Sequence, residues 1–474
     1  MGNNQAHISE TPAAGAVIAG LSGGSGKSVV AVGAVAALAR RGHTVMAFKK
    51  GPDYIDSGWL GLAAGRPCFN LDPYLMKREV LLNSFYTQSC LAEYVLVEGN
   101  RGLFDGVDLE GAYSTAELAF FLKLPVILVV DCTKTTRTVA ALVAGCQRFD
   151  RRIEIRGVVL NRVGTSRHES IVRRSVEHYT GIPVLGAFPR SREDVFPQRH
   201  LGITPGPEHA DAGVAVATLA DRAEKFLDLG KLMQMMAPVS CPEGSSAGIT
   251  PPFAKTGKGD GLKIGLIRDE AFQFYYQENL DALQNLGVEL IEINAITEKK
   301  LPEIDALYIG GGFPETSARA LSENMSFLAS LREMVEKGLP VYAECGGLIF
   351  LGRSISLEGE KFTLAGIFPV DFTLERKPQA HGYTDLVVTA DNPFYPLGTE
   401  ISGHEFRYSK VVDWEGKSDT LACRMDRGVG FAEKRDGLVY KNVFALYTHV
   451  HSLGTPEWAP GMVQAARKFK DRPS

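Results

Sequence analysis

A glycine-rich loop near the start of the chain constrains its fold more than any other stretch. The loop, Gly20-Leu-Ser-Gly-Gly-Ser-Gly26-Lys27-Ser28, follows the apolar run 16–19 and precedes a helical run of small residues at 29–38. In such a strand–loop–helix unit, backbone N–H groups and a lysine neutralise phosphate oxygens, and a serine hydroxyl can bind Mg²⁺. Leu21 stands where the standard Gly-x-x-x-x-Gly-Lys pattern has its first glycine. We predict a nucleotide phosphate site, rather than a flexible turn, formed by Ser22, Gly23, Gly24, Gly26, Lys27 and Ser28.

Apolar, β-branched segments alternate with helical patterns along the first half of the chain. Continuous apolar strands of this kind are typical of a parallel sheet covered by helices on both faces. The predicted strands are 16–19, 44–48, 94–97, 125–130, 157–160 and 183–188. A second α/β pattern has predicted strands at 262–267, 288–291, 306–309, 340–343 and 443–447, with further strands expected after residue 360.

The stretch between these two patterns is rich in Pro, Gly, Ser and Lys and has no sustained periodicity. Such composition is typical of a linker. We therefore predict a flexible N-terminus at 1–14, a P-loop α/β domain at 15–227, a linker at 228–261 and a second α/β domain at 262–474.

Charge and cysteine content exclude several classes of function. The net charge of −4 gives no electrostatic reason to expect a nucleic acid or an anionic membrane as partner. The seven cysteines are scattered and include no Cys-x-x-Cys pair, which favours a reducing compartment over a disulfide framework or a zinc site. The longest apolar run, 124–130, is too short to span a bilayer, and the polar start does not resemble a signal peptide. We expect a cytoplasmic protein.

Three carboxylates follow predicted strands beside the glycine loop. Asp53 and Asp56 come after the second strand, and Glu98 ends the third. Ligands of parallel sheets collect at the carboxyl ends of the strands. Carboxylates placed there can hold Mg²⁺ against nucleotide phosphates or position an acceptor carboxylate near the γ-phosphate. One such Asp alone would more often be a surface charge or a helix cap. Because three converge, we predict a metal site formed by Ser28, Asp53 and Glu98.

Two later strands also end in polar residues. Asp131 is either a site residue or the N-cap of the next helix. Asn161 is a candidate for contact with the adenine base, although Asn is also an ordinary turn residue.

The second half contains a strand, one cysteine, two glycines and a helical run at 341–350. This order is typical of a nucleophile elbow, here with sulfur as the nucleophile, and the helix N-terminus favours the thiolate of Cys345. Another glycine run, 310–312, also ends a strand. Bare backbone N–H groups can form an oxyanion hole. We predict that Gly311, Gly312 and Gly346 do so.

A cysteine nucleophile needs a histidine base from elsewhere in the chain. Tyr447-Thr-His449-Val-His451 follows the last predicted strand and offers two. We predict His449 as the base. A metal site is the competing interpretation of the His-x-His pair, but no third ligand is evident.

The first half resembles the dethiobiotin-synthetase-like branch of P-loop enzymes, whose glycine loop carries the same extra residue. The second half resembles class I glutamine amidotransferases, with Ala343-Glu-Cys-Gly-Gly347 around the nucleophile. Their fusion in this order resembles the cobyrinate a,c-diamide synthase family. The motifs that carry this resemblance are Phe-Lys-x-Gly-Pro-Asp-Tyr-Ile-Asp (48–56), Asn70-Leu-Asp72, Val97-Glu-Gly99, Gly102-Leu-Phe-Asp-Gly106, Arg199-His-Leu-Gly202, Arg268-Asp-Glu-Ala-Phe272, Phe274-Tyr-Tyr276 and Gly403-His-Glu-Phe406.

The resemblance implies a reaction. ATP, with Mg²⁺, phosphorylates a side-chain carboxylate of a tetrapyrrole acid, L-glutamine is hydrolysed at Cys345 and His449, and the ammonia displaces phosphate. Two acetate carboxylates are amidated in turn. Asp53, Tyr54 and Asp56 would then contact the substrate, and Arg101 would grip one of its carboxylates unless it pairs with Asp105 or Glu98 instead. A homodimer is possible.

The chain departs from the family pattern in three places. Class I glutaminases usually complete their triad with Glu two residues after the His, where this chain has His451. The family commonly lacks that Glu. Leu60 and the pair Asn100-Arg101 also differ from relatives, near the expected acceptor site. Sirohaem and nickel-sirohydrochlorin therefore remain alternative acceptors.

A regulatory ATPase of the partitioning type, with a vestigial glutaminase domain, is the alternative from another class. Those proteins carry a lysine five positions before the loop lysine, where this chain has Ser22. The intact elbow at Cys345 also disfavours that interpretation.

Overall fold

A computed structural model describes residues 12–191, 198–199, 202–203, 211–239 and 261–472. The chain divides into two compact units, Met1–Pro251 and Pro252–Ser474. Within the described residues, no helix combines the length and the apolarity needed to cross a membrane.

The first unit alternates strands and helices, as predicted. Its strands are β1 Ala14–Gly20, β2 Val45–Lys50, β3 Phe69–Leu71, β4 Tyr94–Glu98, β5 Val126–Asp131, β6 Ile155–Val163, β7 Val184–Pro189, β8 Gln198–Arg199, β9 Gly202–Ile203 and β10 Ala237–Pro238. Its helices are α1 Lys27–Arg40, α2 Tyr54–Ala64, α3 Arg78–Ser89, α4 Thr115–Leu122, α5 Thr138–Phe149, α6 Ser166–Thr180, α7 Ala212–Phe226 and α8 Leu229–Met235.

The main sheet of this unit has the strand order β3-β2-β4-β1-β5-β6-β7, and these strands run parallel. β1 therefore lies between β4 and β5, which brings the glycine loop after β1 next to the ends of its neighbours. The register pairs Lys49 of β2 with Glu98 of β4, and Asp131 of β5 with Asn161 of β6. The predicted α/β fold with a parallel sheet is confirmed.

Helix α1 packs closely because it is built from small residues. Ten of its residues are buried, and a Cβ added at Gly33 would lie 2.8 Å from the carbonyl oxygen of Leu219 in α7. Helices approach this closely only where a side chain is missing. The close fit fixes the axis of α1, and with it the direction in which its N-terminus points.

The predicted linker starts too early. Residues 229–238 form α8 and β10, and β10 pairs antiparallel with the start of β1 through Ala14↔Pro238 and Gly15↔Ala237. Leu229, Leu232 and Met236 are buried in the core of the first unit. The Met-rich sequence therefore supplies apolar packing, and the rest of the predicted linker, 240–260, lies outside the described residues.

The second unit is also α/β, with additional strands. Its strands are β11 Lys263–Ile267, β12 Phe272–Phe274, β13 Glu289–Ile293, β14 Ala306–Ile309, β15 Gly311–Gly312, β16 Val341–Glu344, β17 Ser354–Leu357, β18 Glu360–Thr363, β19 Val370–Leu374, β20 Ala380–Val388, β21 Glu400–Arg407, β22 Ser409–Trp414, β23 Cys423–Arg427, β24 Arg435–Asp436, β25 Leu438–Tyr440, β26 Val443–Leu446 and β27 His449–Val450. Its helices are α9 Gln277–Asn285, α10 Ala318–Glu323, α11 Met325–Glu336, α12 Gly346–Leu351 and α13 Trp458–Lys470, with short 3₁₀ turns at Pro314–Ser317 and Ser418–Thr420.

Its central sheet has the order β13-β11-β14-β16-β26-β25, and only β25 pairs antiparallel. The strands expected after residue 360 belong largely to two further sheets, β18-β17-β19-β22 and β24-β23-β20-β21-β27. Parallel neighbours β16 and β26 end side by side. Cys345 follows β16, and β27 with His449 follows β26, so the sheet order brings the two together.

Candidate active sites

The glycine loop of the first unit is held by its own serines. The hydroxyl of Ser25 donates to the carbonyl oxygen of Ser22 at 2.7 Å, and the backbone N–H of Ser22 donates to Ser25 Oγ at 3.1 Å. Gly26, at the N-terminus of α1, has φ of 89°. That left-handed conformation favours glycine. The loop therefore turns tightly and ends where the positive end of the α1 dipole attracts phosphate.

Asn161, near the carboxyl end of β6, braces this loop. Its side-chain amide donates to the carbonyl oxygen of Ser25 at 2.9 Å, and a Cβ at Gly26 would lie only 2.0 Å from its Nδ2. The side chain is thus positioned against the predicted nucleotide site. Contact with the adenine base stays a prediction.

Lys27 and Ser28 occupy the first turn of α1. Lys27 Nζ donates to the carbonyl oxygen of Ser22 at 3.2 Å, inside the curve of the loop. Burial, together with the nearby ammonium of Lys49, lowers the pKa of Lys27. The hydroxyl of Ser28 donates to Oε1 of Glu98 at 2.8 Å. The structure therefore joins the predicted phosphate residues to one predicted metal residue.

Lys49, on β2, connects the carboxylates. Its Nζ lies 2.6 Å from Oδ2 of Asp56, 3.2 Å from Oε1 of Glu98 and 3.2 Å from the carbonyl oxygen of Gly99. Burial opposes its charge, but Asp56 and Glu98 outweigh that effect and raise the pKa of Lys49 above its usual value. We did not predict a role for this residue. Its signal in the sequence was a lysine at the end of an apolar strand.

Glu98 has features that fit a cation. Burial raises its pKa to about 7, although Lys49 works in the opposite direction. Its second oxygen, Oε2, is buried and has no hydrogen-bond partner among the described residues. An unpartnered buried carboxylate oxygen beside a serine hydroxyl is what an incoming Mg²⁺ would use, because this ion takes one or two carboxylates and completes its shell with phosphate oxygens and water.

Asp53 caps helix α2. Its Oδ1 accepts from the backbone N–H of Asp56 at 2.8 Å, so the cap interpretation of this residue is correct. Burial and the neighbouring Asp56 carboxylate raise the pKa of Asp53 to about 6. Its other oxygen is not used by this cap. Asp53 therefore stays a predicted metal or substrate residue, and it also caps the helix. Tyr54, the first residue of α2, is half-buried beside it.

Two departures from the family pattern lie in different environments. Arg101 is exposed, has φ of 51°, and forms no ion pair within the described part of the chain, so pairing with Asp105 or Glu98 is not observed. Leu60 is fully buried in the hydrophobic core of the first unit. Its side chain packs inward, and its nearness to the acceptor site stays a prediction.

Asp131 is not a helix cap. Its Oδ1 accepts from the backbone N–H of Thr133 at 2.8 Å, and its Oδ2 lies 2.5 Å from Nη1 of Arg162. Helix α5 begins only at Thr138, with Arg137 at its N-cap. The residue shapes a turn after β5, and the N-cap alternative is wrong.

Cys345 lies at a sharp turn between β16 and α12. Its φ of 46° and ψ of −96° are unusual for a residue with a side chain, as expected for a nucleophile elbow. Such strain persists only where the surrounding structure enforces it. The residue is 6% exposed, so access to the sulfur is narrow. The predicted elbow geometry is present.

The two predicted oxyanion segments contact each other. A Cβ at Gly346 would lie 3.0 Å from the backbone nitrogen of Gly312, and a Cβ at Gly312 would lie 2.0 Å from the carbonyl oxygen of Ala271. The backbone N–H of Gly347 donates to the carbonyl oxygen of Gly310 at 3.1 Å. These positions need glycine because backbone approaches backbone. Their role as an oxyanion hole stays a prediction.

His449 is next to the predicted nucleophile. Burial of the ring disfavours its charge, but the hydrogen bond to Cys345 and the carboxylate of Glu344 outweigh burial and raise the pKa of His449 to about 9. Its Nδ1 lies 3.4 Å from Oε2 of Glu344. A Cβ at Gly311 would lie 2.3 Å from Cε1 of the ring, so Gly311 provides the space for this base.

His451 points to different partners. Its Nε2 lies 3.6 Å from Oε2 of Glu278, and its Nδ1 accepts from the backbone N–H of Leu453 at 3.2 Å. No group of three or more His, Cys, Asp or Glu side chains in the described ranges could hold a metal ion. The two histidines therefore contact different carboxylates, Glu344 for His449 and Glu278 for His451.

Two protein-family models match this chain, one in each half of the sequence. Residues 16–201 match the CobQ/CobB/MinD/ParA nucleotide binding domain, and residues 263–456 match the CobB/CobQ-like glutamine amidotransferase domain. A protein of Magnetococcus marinus named cobyrinate a,c-diamide synthase is 44% identical over 95% of this chain and 96% of its own length. The chain belongs to the cobyrinate a,c-diamide synthase family.

Other members have similar coverage. The Archaeoglobus fulgidus protein of that name is 37% identical over 96% of this chain and 98% of its own, and the Dehalococcoides mccartyi protein is 37% identical over the same shares. Membership in this family, with both domains present, makes the chain an ATP-binding, glutamine-dependent, amide-forming ligase. The resemblance found in the sequence is thus confirmed, and the partitioning-type ATPase is not supported.

Two residues near the second site were not predicted. Glu344 directly precedes Cys345, and His404 stacks on His449 with ring centroids 4.9 Å apart. The sequence signal for Glu344 was a carboxylate at the end of an apolar strand. The sequence signal for His404 was the family motif Gly403-His-Glu-Phe406. The motif alone does not show that His404 lies beside His449, because that contact depends on the pairing of β21 with β27.

Proposed function

We propose that this member of the family amidates the a and c acetate carboxylates of cobyrinate, using ATP and L-glutamine. The observation that carries the proposal is the full-length match, at 44% identity, to a relative of that name. Two sites on separate compact units, one suited to phosphate and one to thiol chemistry, agree with this reaction.

The first unit would activate the carboxylate. An acetate oxygen attacks the γ-phosphorus of ATP, the bond to ADP breaks, and an acyl phosphate forms. Lys27 and the loop N–H groups would hold the phosphates, since positioning and electrostatics supply most of the catalysis in phosphoryl transfer. Ser28, Glu98 and Asp53 would hold Mg²⁺, which neutralises charge on the phosphates when bound. The free oxygen of Glu98 supports this assignment.

The second unit would release ammonia from glutamine. The sulfur of Cys345 attacks the amide carbon, and His449 donates a proton to the departing nitrogen. Water then hydrolyses the thioester to glutamate. The N–H groups around Gly311, Gly312 and Gly346 would stabilise the oxyanion in both steps. The raised pKa of His449 supports its role as the proton donor.

Ammonia completes the reaction in the first unit. It attacks the acyl carbon, phosphate leaves with the bonding electrons, and the amide remains after loss of a proton. The cycle then repeats on the second acetate group.

Recognition of the acceptor would use the strand ends beside the loop. Arg101 is exposed and has no ion pair among the described residues, so its guanidinium is available to a carboxylate of the acceptor. Tyr54, Asp53 and Asp56 would contact the same molecule near the start of α2. We also propose that the enzyme is cytoplasmic and forms a homodimer. Light scattering would measure the mass of the homodimer.

The acceptor is tested by comparing substrates. We expect cobyrinate to give two successive mass increments for replacement of OH by NH₂, and the highest kcat/KM among cobyrinate, nickel-sirohydrochlorin and sirohaem. A preference of tenfold for sirohaem, about 1.4 kcal/mol of transition-state binding, would contradict the cobyrinate assignment and leave the ligase chemistry intact.

A further inference from the structure

The place where class I glutaminases usually carry the triad carboxylate holds His451 in this chain, which leaves the base without its usual partner. We infer that Glu344, the residue immediately before the nucleophile, is the positioning residue that orients His449. The inference rests on the proposed glutaminase role of Cys345 and His449 and adds a member to it.

The contacts of Glu344 support this role. Its Oε2 lies 3.4 Å from Nδ1 of His449, with side-chain exposures of 0% and 3%. Its Oε1 accepts from the backbone N–H of Val450 at 3.3 Å, and the hydroxyl of Tyr308 donates to Oε2 at 3.5 Å. The carboxylate therefore lies within ion-pair distance of the ring and accepts a hydrogen bond from the backbone segment that carries it. A buried carboxylate on Nδ1 fixes the tautomer and stabilises the imidazolium, as in other triads.

The other buried carboxylate near this segment, Glu278, contacts His451 instead of the predicted base. Glu278, on α9, lies 3.6 Å from Nε2 of His451, and nothing in the described contacts links it to Cys345. This pair resembles Glu344 with His449 in chemistry and burial, since both Glu278 and His451 are buried. It is therefore a matched control within the same unit.

Two acidic groups raise the pKa of His449, the thiol of Cys345 and the carboxylate of Glu344. Cys345 hydrogen-bonds the ring, and the two together account for the raised pKa of His449 despite burial. His404 stacks on it with ring centroids 4.9 Å apart, and burial and the nearby His449 and His451 lower the pKa of His404 well below its usual value. Since Nδ1 faces Glu344, Nε2 is the nitrogen left for the thiol.

The test compares three variants of the full-length enzyme: Glu344→Gln, Glu344→Asp and the control Glu278→Gln. In Glu344→Gln we expect kcat for glutamine hydrolysis to fall about 10²- to 10⁴-fold, with KM for glutamine within about twofold. The alkaline limb of the kcat/KM profile should move to lower pH, because losing the negative charge lowers the pKa of His449. Glu344→Asp should keep the alkaline limb at its wild-type pH and lose less kcat than Glu344→Gln. Glu278→Gln should change neither kcat nor the pH profile.

A second measurement covers the case in which Glu344→Gln folds poorly. If Glu344 acts through His449, replacing Glu344 by Asp in a His449→Ala background should cost less than about twofold, so that the two losses are non-additive. Additive losses would overturn the inference, as would a Glu344→Gln enzyme with wild-type kcat and pH profile. Absence of glutamine hydrolysis in the wild-type enzyme would instead refute the proposed function.

Discussion

Two buried glutamates end parallel strands in this protein, one in each unit, and they have different partners. Glu98 ends β4 and contacts Lys49, whereas Glu344 ends β16 and contacts His449. Burial raises the pKa of both carboxyls. A lysine stays protonated at any physiological pH, so it supplies a fixed positive charge. A histidine gains and loses its proton, so its carboxylate can influence a reaction that moves protons.

The comparison separates the two chemistries. In the first unit the charges are arranged around a loop that holds phosphate, and the reaction needs static compensation of charge. In the second unit a thiol and an imidazole exchange a proton. A variant in one unit should therefore change the chemistry of that unit and leave the chemistry of the other unit intact.

The largest effect is expected from Cys345→Ala. Glutamine-dependent synthesis should fall by about 10⁴-fold or more, while synthesis from ammonium salts continues, because attack of ammonia on an acyl phosphate does not need sulfur. Product amide is measured with each nitrogen source. His449→Ala should behave similarly and His451→Ala more mildly. Full glutamine-dependent activity in the Cys345 variant would refute the role of this residue.

Lys27→Ala should show the opposite pattern. Product should fall about 10²- to 10³-fold with either nitrogen source, because the lysine charge compensates negative charge at the phosphates. Glutaminase activity without acceptor is the control and should remain. Equal product from ammonium in variant and wild type would show that this lysine does not act on ATP.

Glu98→Gln should have an intermediate effect that depends on pH. Protons compete with Mg²⁺ for a carboxylate whose pKa is about 7. In the wild type, apparent Mg²⁺ affinity should therefore rise about tenfold between about pH 6 and about pH 8. In the variant it should be weaker and nearly independent of pH, which calorimetric titration in the presence of nucleotide would measure. A variant with normal rates at low Mg²⁺ would remove Glu98 from the metal site.

Arg101→Ala should have the smallest effect. If the exposed guanidinium grips an acceptor carboxylate, the KM for the acceptor should rise by about tenfold, or about 1.4 kcal/mol. The KM values for ATP and glutamine should stay the same. Arg151→Ala is the control, because Arg151 is an exposed cation in the turn before β6, at the amino ends of the strands. An unchanged KM for the acceptor would indicate that Arg101 is an ordinary surface residue.

The sequence predicted the sheets and the turns well, because their signals are local. Continuous apolar runs marked the strands, and the glycine loop and the elbow each lie within ten residues. The contacts of the two glutamates were not predictable in the same way. Lys49 meets Glu98 only because β2 lies beside β4, and Glu344 meets His449 only because β16 lies beside β26. Strand order depends on packing of the whole unit and not on local pattern.

The predicted start of the linker failed for a related reason. The stretch 229–238 lacks periodicity because it is short, yet it folds against β1. Short segments gain their structure from the surface they cover.

The pairing of β10 with β1 determines where the first unit can be cut from the rest of the chain. A fragment ending at residue 227 would lack Leu232, which is buried in the core, and would leave the N–H and C=O groups at the start of β1 without their partner on β10. Exposed strand edges and exposed apolar surface promote aggregation. Expression of the first unit alone should therefore give a well-behaved protein only when the fragment extends through Val239.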